Sequence, residues 1–255
     1  MFSIFYTEMI KLKKTRIFWL VLFAALPACM MSLFALLPRI TPEGISAGFD
    51  MQDMFYRQGM MLTIIGAPLF ALMTGYIVAR EYQERTINQL FSYPIPRVRF
   101  LVTKLLVVFL LIMITVILSF VFVVGATLLF KHQLNIATIW LGLKMNLLIC
   151  ILSFGTIPVA AALSMVGKNV IPTTVLAVFV TAITLIGEAG HSRSCILFPW
   201  LTPYWPVRRL AQGIANNSGP NPYAGPALVI LAFTFIISLT FCIVYYIKAD
   251  VHSGS

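Results

Sequence analysis

The sequence predicts an all-α, polytopic membrane protein with six transmembrane helices. Of its 255 residues, 60% are hydrophobic and only 10% are charged, whereas a soluble globular domain is typically about 45–50% apolar and about 25% charged. The mean hydropathy is +0.95. Apolar stretches long enough to cross a hydrocarbon core of roughly 30 Å recur along most of the chain. These observations exclude a water-soluble core.

Six apolar segments have the length of a membrane-spanning helix. They are residues 17–37, 60–79, 101–129, 139–166, 171–187 and 227–247. The third and fourth exceed one membrane thickness, so we expect them to tilt or to extend beyond the bilayer. Residues 1–250 are therefore predicted to form one transmembrane domain, and residues 251–255 a flexible tail.

Basic residues set the predicted orientation. Lys11, Lys13, Lys14 and Arg16 precede the first span, whereas Arg39 follows it. Because Lys and Arg concentrate in cytoplasmic loops, the N terminus is predicted to be cytoplasmic, and six spans bring the C terminus to the same side. The formal net charge of +10 then indicates membrane topology, and nucleic-acid binding is not expected.

Residues 1–16 form a basic amphipathic segment. Apolar residues recur at helical spacing on one side, while polar residues, including Glu8 and Lys11, occupy the other. This pattern predicts an elbow helix lying in the inner membrane interface. Its role stays open between a topogenic basic flank and a mechanical element joined to the first span.

Small residues recur every fourth position along the second span. They are Ala67, Ala71, Gly75 and Ala79. Such a row forms a groove that lets a neighbouring helix approach closely, which is how helices associate in lipid. We predict helix packing there, within the bundle or with a second subunit.

A charged island follows the second span. Arg80, Glu81, Glu84 and Arg85 lie within six consecutive positions. Each charge would cost about 2.5–3.5 kcal/mol at the centre of a bilayer, so the island is predicted to lie in water. The Arg80/Glu84 and Glu81/Arg85 pairs have i,i+4 spacing, which favours a helix over residues 80–91 with its charges exposed.

The same predicted helix has an apolar side formed by Ile87, Leu90 and Phe91, and Pro94 and Pro96 end it. A charged helix with a compact apolar patch is suited to dock into a cleft on a soluble partner. The alternative is a cytoplasmic loop that contacts only water and lipid headgroups.

This region resembles the cytoplasmic loop of ABC-2 type permeases, the membrane subunits of ATP-driven transporters. The residues that carry the resemblance are Arg80, Glu81, Thr86, Ile87, Leu90, Pro94, Arg97 and Lys104. The opening Glu8-Met9-Ile10-Lys11-Leu12 also resembles that family, in particular its bacitracin and lantibiotic self-protection permeases. Two positions depart from the family pattern, since Arg85 stands where Gly is common and Pro96 where Ser is frequent.

The resemblance implies the ABC-2 (type V exporter) permease fold in a bacterial plasma membrane. It implies a separate ABC-type ATPase dimer carrying ATP and Mg, a second permease that is identical or related, and export or extraction of an amphiphilic substrate such as a peptide antibiotic or a lipid-like molecule. Residues 80–96 become the coupling helix and its exit. The implied coupling residues are Arg80, Glu81, Glu84, Arg85, Thr86, Ile87, Leu90, Phe91 and Arg97.

The chain has no nucleotide site of its own by sequence. Ala162 stands where a phosphate-binding loop ending in Gly167-Lys168 would need glycine. No Cys or His has metal-ligand spacing, so no bound metal or cofactor is predicted and the chain is not expected to be an enzyme.

An ion-coupled secondary transporter, or a channel-like protein without ATPase, is the alternative. Such transport usually needs carboxylates or histidines inside the membrane, and the predicted span cores contain none. A sodium site built from hydroxyls would have one candidate, the row of Thr173, Thr174, Thr181 and Thr184. Hydrogen bonding between helices explains that row more simply.

The outer segment 188–226 is rich in Pro, Trp and Tyr. Such aromatic residues favour the headgroup level, and prolines divide the segment into short pieces. The resemblance implies a re-entrant or interfacial segment that closes the outer exit, with Trp200, Tyr204 and Trp205 as gate residues. A passive aromatic belt is the alternative.

Overall fold

The computed structural model describes residues 2–13, 17–37, 39–41, 44–46, 50–84, 96–130, 134–189, 193–211 and 221–248. Its α-helices are α1 (Phe2–Lys13), α2 (Ile17–Leu33), α3 (Met51–Met61), α4 (Ala67–Gln83), α5 (Arg97–Leu129), α6 (Ile136–Phe154), α7 (Ile157–Gly167), α8 (Ile171–Ala189), α9 (Tyr204–Ala211) and α10 (Ala224–Lys248). Short 3-10 helices cover Phe34–Leu36 and Arg193–Leu197, and two short strands, β1 (Arg39–Thr41) and β2 (Gly44–Ser46), pair antiparallel.

Among the described residues, five helical segments are long and apolar enough to cross a membrane. They are Ile17–Leu36, Met51–Gln83, Arg97–Leu129, Ile136–Gly167 and Ala224–Lys248. The shorter apolar helix Ile171–Gly187 completes the set. These six elements follow the order of the six predicted spans, and the all-α, multi-pass architecture is confirmed. The cytoplasmic placement of both termini stays a prediction.

The second span begins earlier than predicted. Its helix starts at Met51, nine residues before the predicted position 60. The Asp50 side chain accepts a hydrogen bond of 2.9 Å from a backbone N–H of the first turn, which caps the helix. Asp53 and Arg57 pair along it at 2.7 Å. The low hydropathy of this polar first part of α3 did not predict a span there. Its polar residues are nevertheless well suited to the start of a helix.

Two interruptions of long helices precede prolines. The segment Leu62–Gly66 between α3 and α4 is a wide π-helical turn, and Pro68 lacks the N–H that would bond to the carbonyl of Ile64. Residues 155–156 separate α6 from α7, where Pro158 likewise cannot bond to the carbonyl of Phe154. The predicted span 139–166 is therefore two helices in tandem.

Helix α4 lies inside the bundle and packs against α7 and α8, while α2 packs against α3 and α5. Helix α10 lies against α7 and α5, and α1 lies across the start of α5. Large apolar side chains that are more than half exposed, such as Trp19, Ile151, Phe179 and Ile237, point away from this core. Such a surface matches a hydrocarbon environment. We refer to the end of the bundle that carries Glu81 as the inner end, and to the end that carries Asp53 as the outer end.

Candidate functional site

Four charged side chains meet at the inner end, where α1, α4 and α5 converge. They form the ionic cluster: Glu8, Lys11, Glu81 and Lys104. Lys104 Nζ lies 2.8 Å from Glu81 Oε1 and 3.8 Å from Glu8 Oε2. The Glu81 contact is an ion pair whose angles do not meet those of a hydrogen bond. Glu8, Glu81 and Lys104 are only 6%, 5% and 2% exposed.

Further contacts complete the ionic cluster. Lys11 Nζ, nearer to solvent, lies 3.1 Å from Glu8 Oε1 and 3.8 Å from Glu81 Oε1. Lys104 Nζ donates to the carbonyl of Ile77 at 3.2 Å, and the Tyr246 hydroxyl of α10 donates to Glu81 Oε2 at 3.5 Å. Two carboxylates therefore face two ammonium groups. Because each buried charge has a partner of opposite sign, the cluster joins four helices without a net charge.

Two residues of the ionic cluster, Glu81 and Glu8, are buried although the sequence predicted them to be exposed. Glu81 was predicted to lie on an exposed face with Arg85, yet it is buried against Lys104. Glu8 was placed on the polar side of the elbow helix, yet its side chain is buried in the bundle, while Thr7 and Lys11 on the same side are exposed. The signal that could have identified both is Lys104 itself. Lys104 lies within the predicted span 101–129, and a buried lysine there favours buried carboxylate partners.

The charged island begins inside α4. Arg80 Nε lies 2.7 Å from Glu84 Oε1, and this pair is much more exposed than Glu81. Gln83 Nε2 donates to Asn169 Oδ1 at 2.6 Å, which connects the end of α4 to the turn between α7 and α8. Glu84 is thus the last described residue before the remainder of the predicted coupling helix.

The other predicted coupling residues divide into two groups. Arg97 opens α5, where its Nη1 donates to the carbonyl of Ile247 at 3.2 Å. Five more lie outside the described residues: Arg85, Thr86, Ile87, Leu90 and Phe91. Their role in docking remains a prediction.

A cavity of about 90 Å³ opens beside the ionic cluster. The cluster residues line it together with Tyr76, Arg80 and Glu84. Its polar lining and size suit a few water molecules. Arg80 and Glu84 therefore line the same small space at the inner end as the ionic cluster.

The row of small residues lies along the buried part of α4. Ala67, Ala71 and Ala79 are buried. A Cβ at Gly75 would overlap the Thr173 side chain of α8, and Ser164 of α7 donates to the Gly75 carbonyl at 3.4 Å. The close neighbours of this row are therefore α7 and α8.

A second polar group lies nearer the outer end. Gln58 of α3, Ser119 of α5 and Asn146 of α6 form the amide cluster. Gln58 Nε2 donates to Ser119 Oγ at 2.8 Å and to Asn146 Oδ1 at 3.0 Å. Asn146 Nδ2 donates to the carbonyl of Gly142 at 2.9 Å. All three side chains are buried, so this cluster joins three helices through neutral groups. This cluster was not predicted, because Gln58 lies just before the predicted second span.

The predicted gate residues surround the start of α9. Tyr204 is buried, and its hydroxyl lies 3.5 Å from that of Tyr56 in α3. Trp200 and Trp205 are partly buried, and the Trp200 ring packs against Phe198 with centroids 5.2 Å apart. Helix α9, which begins at Tyr204, packs against α3 and α6. Gate and passive belt remain alternatives for it.

The threonine row of α8 bonds differently from the expectation. Thr173, Thr174, Thr181 and Thr184 each donate to a backbone carbonyl one turn earlier, at 2.6–3.2 Å. The acceptors of these hydrogen bonds lie within α8 or at Val170, which immediately precedes it, and not on neighbouring helices, as is common for short hydroxyl side chains in helices.

The architecture and the inner end define a class of membrane protein. A family model described as ABC-2 family transporter protein matches residues 4–184. The chain belongs to this family, and it is a multi-pass membrane permease of an ABC transporter in the bacterial plasma membrane.

One curated protein is similar to this chain over most of its length. The chain is 26% identical over 193 residues to the bacitracin transport permease protein BCRB of Bacillus licheniformis, covering 75% of this chain and 88% of that protein. The ABC-2 resemblance seen in the sequence is thus confirmed.

Proposed function

We propose that this permease works with a separate ATPase dimer and a second permease, and that ATP hydrolysis drives the movement of an amphiphilic substrate. The observation that carries the proposal is the position of Glu84. It directly follows α4, its side chain is 49% exposed, and it precedes residues 85–96, the remainder of the segment that resembles a coupling helix. A soluble partner that binds this segment contacts the end of a helix that runs through the bundle.

The ionic cluster gives this contact a mechanical consequence. Glu81 lies one turn before Glu84 and is held by Lys104 of α5 and Lys11 of α1. A displacement of the segment after Glu84 therefore acts on α4, α1 and α5 together. Paired buried charges resist separation, because an unpaired charge keeps its full desolvation penalty.

The substrate is proposed to be a peptide antibiotic or a lipid-like molecule. In the described residues, the buried carboxylates Glu8, Asp53 and Glu81 each contact a Lys or Arg. Satisfied charges leave the interior poorly suited to a hydrophilic solute and better suited to an amphiphile. The relative named as a bacitracin permease makes bacitracin the first compound to test.

The ATPase proposal is tested by reversing the charge at Glu84. In Glu84→Lys the ATPase should be lost on co-purification, while the amount of inserted permease stays at the wild-type level. The matched control is the swap Arg80→Glu/Glu84→Arg, which restores the i,i+4 pair with reversed order. If the intrahelical pair were the cause, the swap would restore binding, whereas a contact with the partner predicts that it does not.

Two outcomes would contradict the proposal. One is a Glu84→Lys permease that retains its ATPase and transports at the wild-type rate. The other is a purified permease that moves substrate along an ion gradient with no ATPase present, which would establish the ion-coupled or channel-like alternative.

The substrate proposal has its own measurement. Cells that express the permease with its ATPase should tolerate a higher bacitracin concentration than cells in which the ATPase carries an inactivating substitution. Equal tolerance in both strains would remove bacitracin from the proposal without affecting the ATPase partnership.

A further inference from the structure

A second cavity lies on the outer half of the bundle, in a groove between α6 and α9. It measures about 280 Å³. Two basic residues, Lys144 and Arg209, line it, and its other lining residues are apolar. The groove is distant in the fold from the ionic cluster, which lies at the opposite end of the helix Met51–Gln83.

The apolar part of the groove continues onto the surface of α6. Leu141 and Leu148, two turns apart on this helix, are 44% and 37% exposed. Met145 and Leu210 are buried and form the floor. An acyl chain that follows α6 would therefore contact apolar side chains along the groove.

The two cations differ from the cations that form ion pairs in the bundle. Both are exposed, and within the described residues no carboxylate lies within 4.0 Å of either one, whereas Lys11, Lys104, Arg57 and Arg80 each contact at least one. Two positive charges at one apolar groove favour an anion with an attached hydrocarbon chain.

The level of Lys144 in the membrane follows from Trp140. The Lys144 ammonium lies 5.2 Å from the centroid of the Trp140 ring, one turn closer to the outer end. The side chain thus extends toward the start of α6, as a lysine does when it reaches from hydrocarbon to the headgroups. Trp140 is itself exposed, and exposed Trp residues mark the membrane interface. The ammonium is therefore placed where lipid phosphates lie.

We propose that this groove binds one anionic phospholipid, with its phosphate between Lys144 and Arg209 and one acyl chain running inward along Leu148. An anionic headgroup is favoured over a zwitterionic one, because the ammonium of a zwitterionic lipid would be repelled by the two cations. The inference stands apart from the proposed transport function, since binding requires neither ATPase nor turnover.

The test is lipid binding to the purified permease in detergent, with bound lipid counted by native mass spectrometry. Phosphatidylglycerol should be retained in preference to phosphatidylcholine, and glycerol phosphate, which lacks acyl chains, should not bind. Each basic residue near an anionic headgroup contributes about a fivefold factor, so Lys144→Gln/Arg209→Gln should weaken phosphatidylglycerol binding about 30-fold.

The matched control removes the same charge elsewhere. Lys168 and Lys248 are exposed at the inner end, and Lys168→Gln/Lys248→Gln should leave the affinity within about twofold of wild type. Lys144→Arg, which keeps the charge, should also retain the lipid. The proposal is overturned if both double variants lose the same affinity, if the two phospholipids bind equally, or if glycerol phosphate binds as well as phosphatidylglycerol.

Discussion

The ionic cluster at the inner end and the amide cluster nearer the outer end both join α5 to neighbouring helices through buried polar groups, but they use different chemistry. The inner one places two carboxylates and two ammonium groups within 4 Å contacts. The outer one uses two amides and a hydroxyl. Removing one partner of a buried charge pair destabilises the protein by several kcal/mol, because the remaining charge is still desolvated. Leaving a buried neutral amide unpaired costs roughly 1–3 kcal/mol. The stability of the inner end therefore depends more strongly on its polar contacts than does that of the amide cluster.

This difference corresponds to the proposed roles of the two regions. An element that must transmit displacement from a soluble partner benefits from contacts that are costly to break. A contact deep between α3, α5 and α6 only has to specify which faces of the helices meet. Neutral hydrogen bonds achieve that at a smaller desolvation cost.

The largest expected effect is at Lys104. Lys104→Met leaves two buried carboxylates with Lys11 as their remaining lysine contact, and we expect the free energy of unfolding to fall by about 3–5 kcal/mol. Unfolding in a detergent-to-SDS titration measures it. Lys11→Met is the control, because Lys11 is nearer to solvent and should cost much less. An equal loss in both variants would show that burial does not set the strength of the cluster.

A rescue variant separates charge from packing at the same position. Adding Glu81→Gln to Lys104→Met removes the carboxylate nearest to the lost ammonium and makes the cluster neutral again, so stability should partly recover. No recovery would indicate that Lys104 acts through the packing of its aliphatic chain.

The next effect tests whether α4 is held by packing as well as by charge. Gly75→Ala places a Cβ against Thr173, and overpacking of this kind costs about 1–3 kcal/mol. The double variant Gly75→Ala/Thr173→Ala removes Oγ1 and Cγ2 of Thr173 but keeps its Cβ, so it should recover part of the loss in the same titration. A single variant as stable as wild type would contradict the close approach of α4 and α8.

At the amide cluster the expected effect is smaller. Asn146→Leu leaves the Gln58 amide without one of its partners, which costs about 1–2 kcal/mol in a membrane bundle. Gln58→Leu/Asn146→Leu removes both amides and should be closer to wild type than either single variant. If Asn146→Leu costs as much as Lys104→Met, the contrast between charged and neutral clusters fails.

The sequence predicted the spans better than the polar contacts between them, and the reason is physical. Hydropathy reports which segments prefer lipid, so the spans beginning near Ile17 and Leu101 were placed within a few residues. It does not report which polar face turns inward. Glu8 and Glu81 were assigned to exposed faces because their helices are amphipathic, whereas only the packing of α1 and α4 around Lys104 reveals that these faces meet.

Local chemistry also overrode the pattern at the start of α3. The predicted boundary at residue 60 followed the change in polarity, but Asp50 caps the helix and Asp53 pairs with Arg57. These are signals for a helix start that could have been read from the sequence. The pairing of Gln58 with Asn146 could not, because it joins residues from helices distant in the chain.

The smallest expected loss of stability is at Glu84, and it is best compared with the loss at Glu81, one turn earlier. Glu84→Gln breaks only the exposed pair with Arg80, and i,i+4 pairs contribute about 0.2–0.5 kcal/mol to a helix. Glu81→Gln, three residues earlier, removes the nearest carboxylate from Lys104 and should cost several times more in the same SDS titration. ATPase attachment should follow the opposite order, because Glu84 borders the proposed docking segment and Glu81 is buried. A Glu84→Gln permease that loses ATPase binding with nearly unchanged stability would separate the docking role from the structural one. If Glu84→Gln instead destabilises the fold as much as Glu81→Gln, burial no longer distinguishes the two carboxylates and the division of roles between them is wrong.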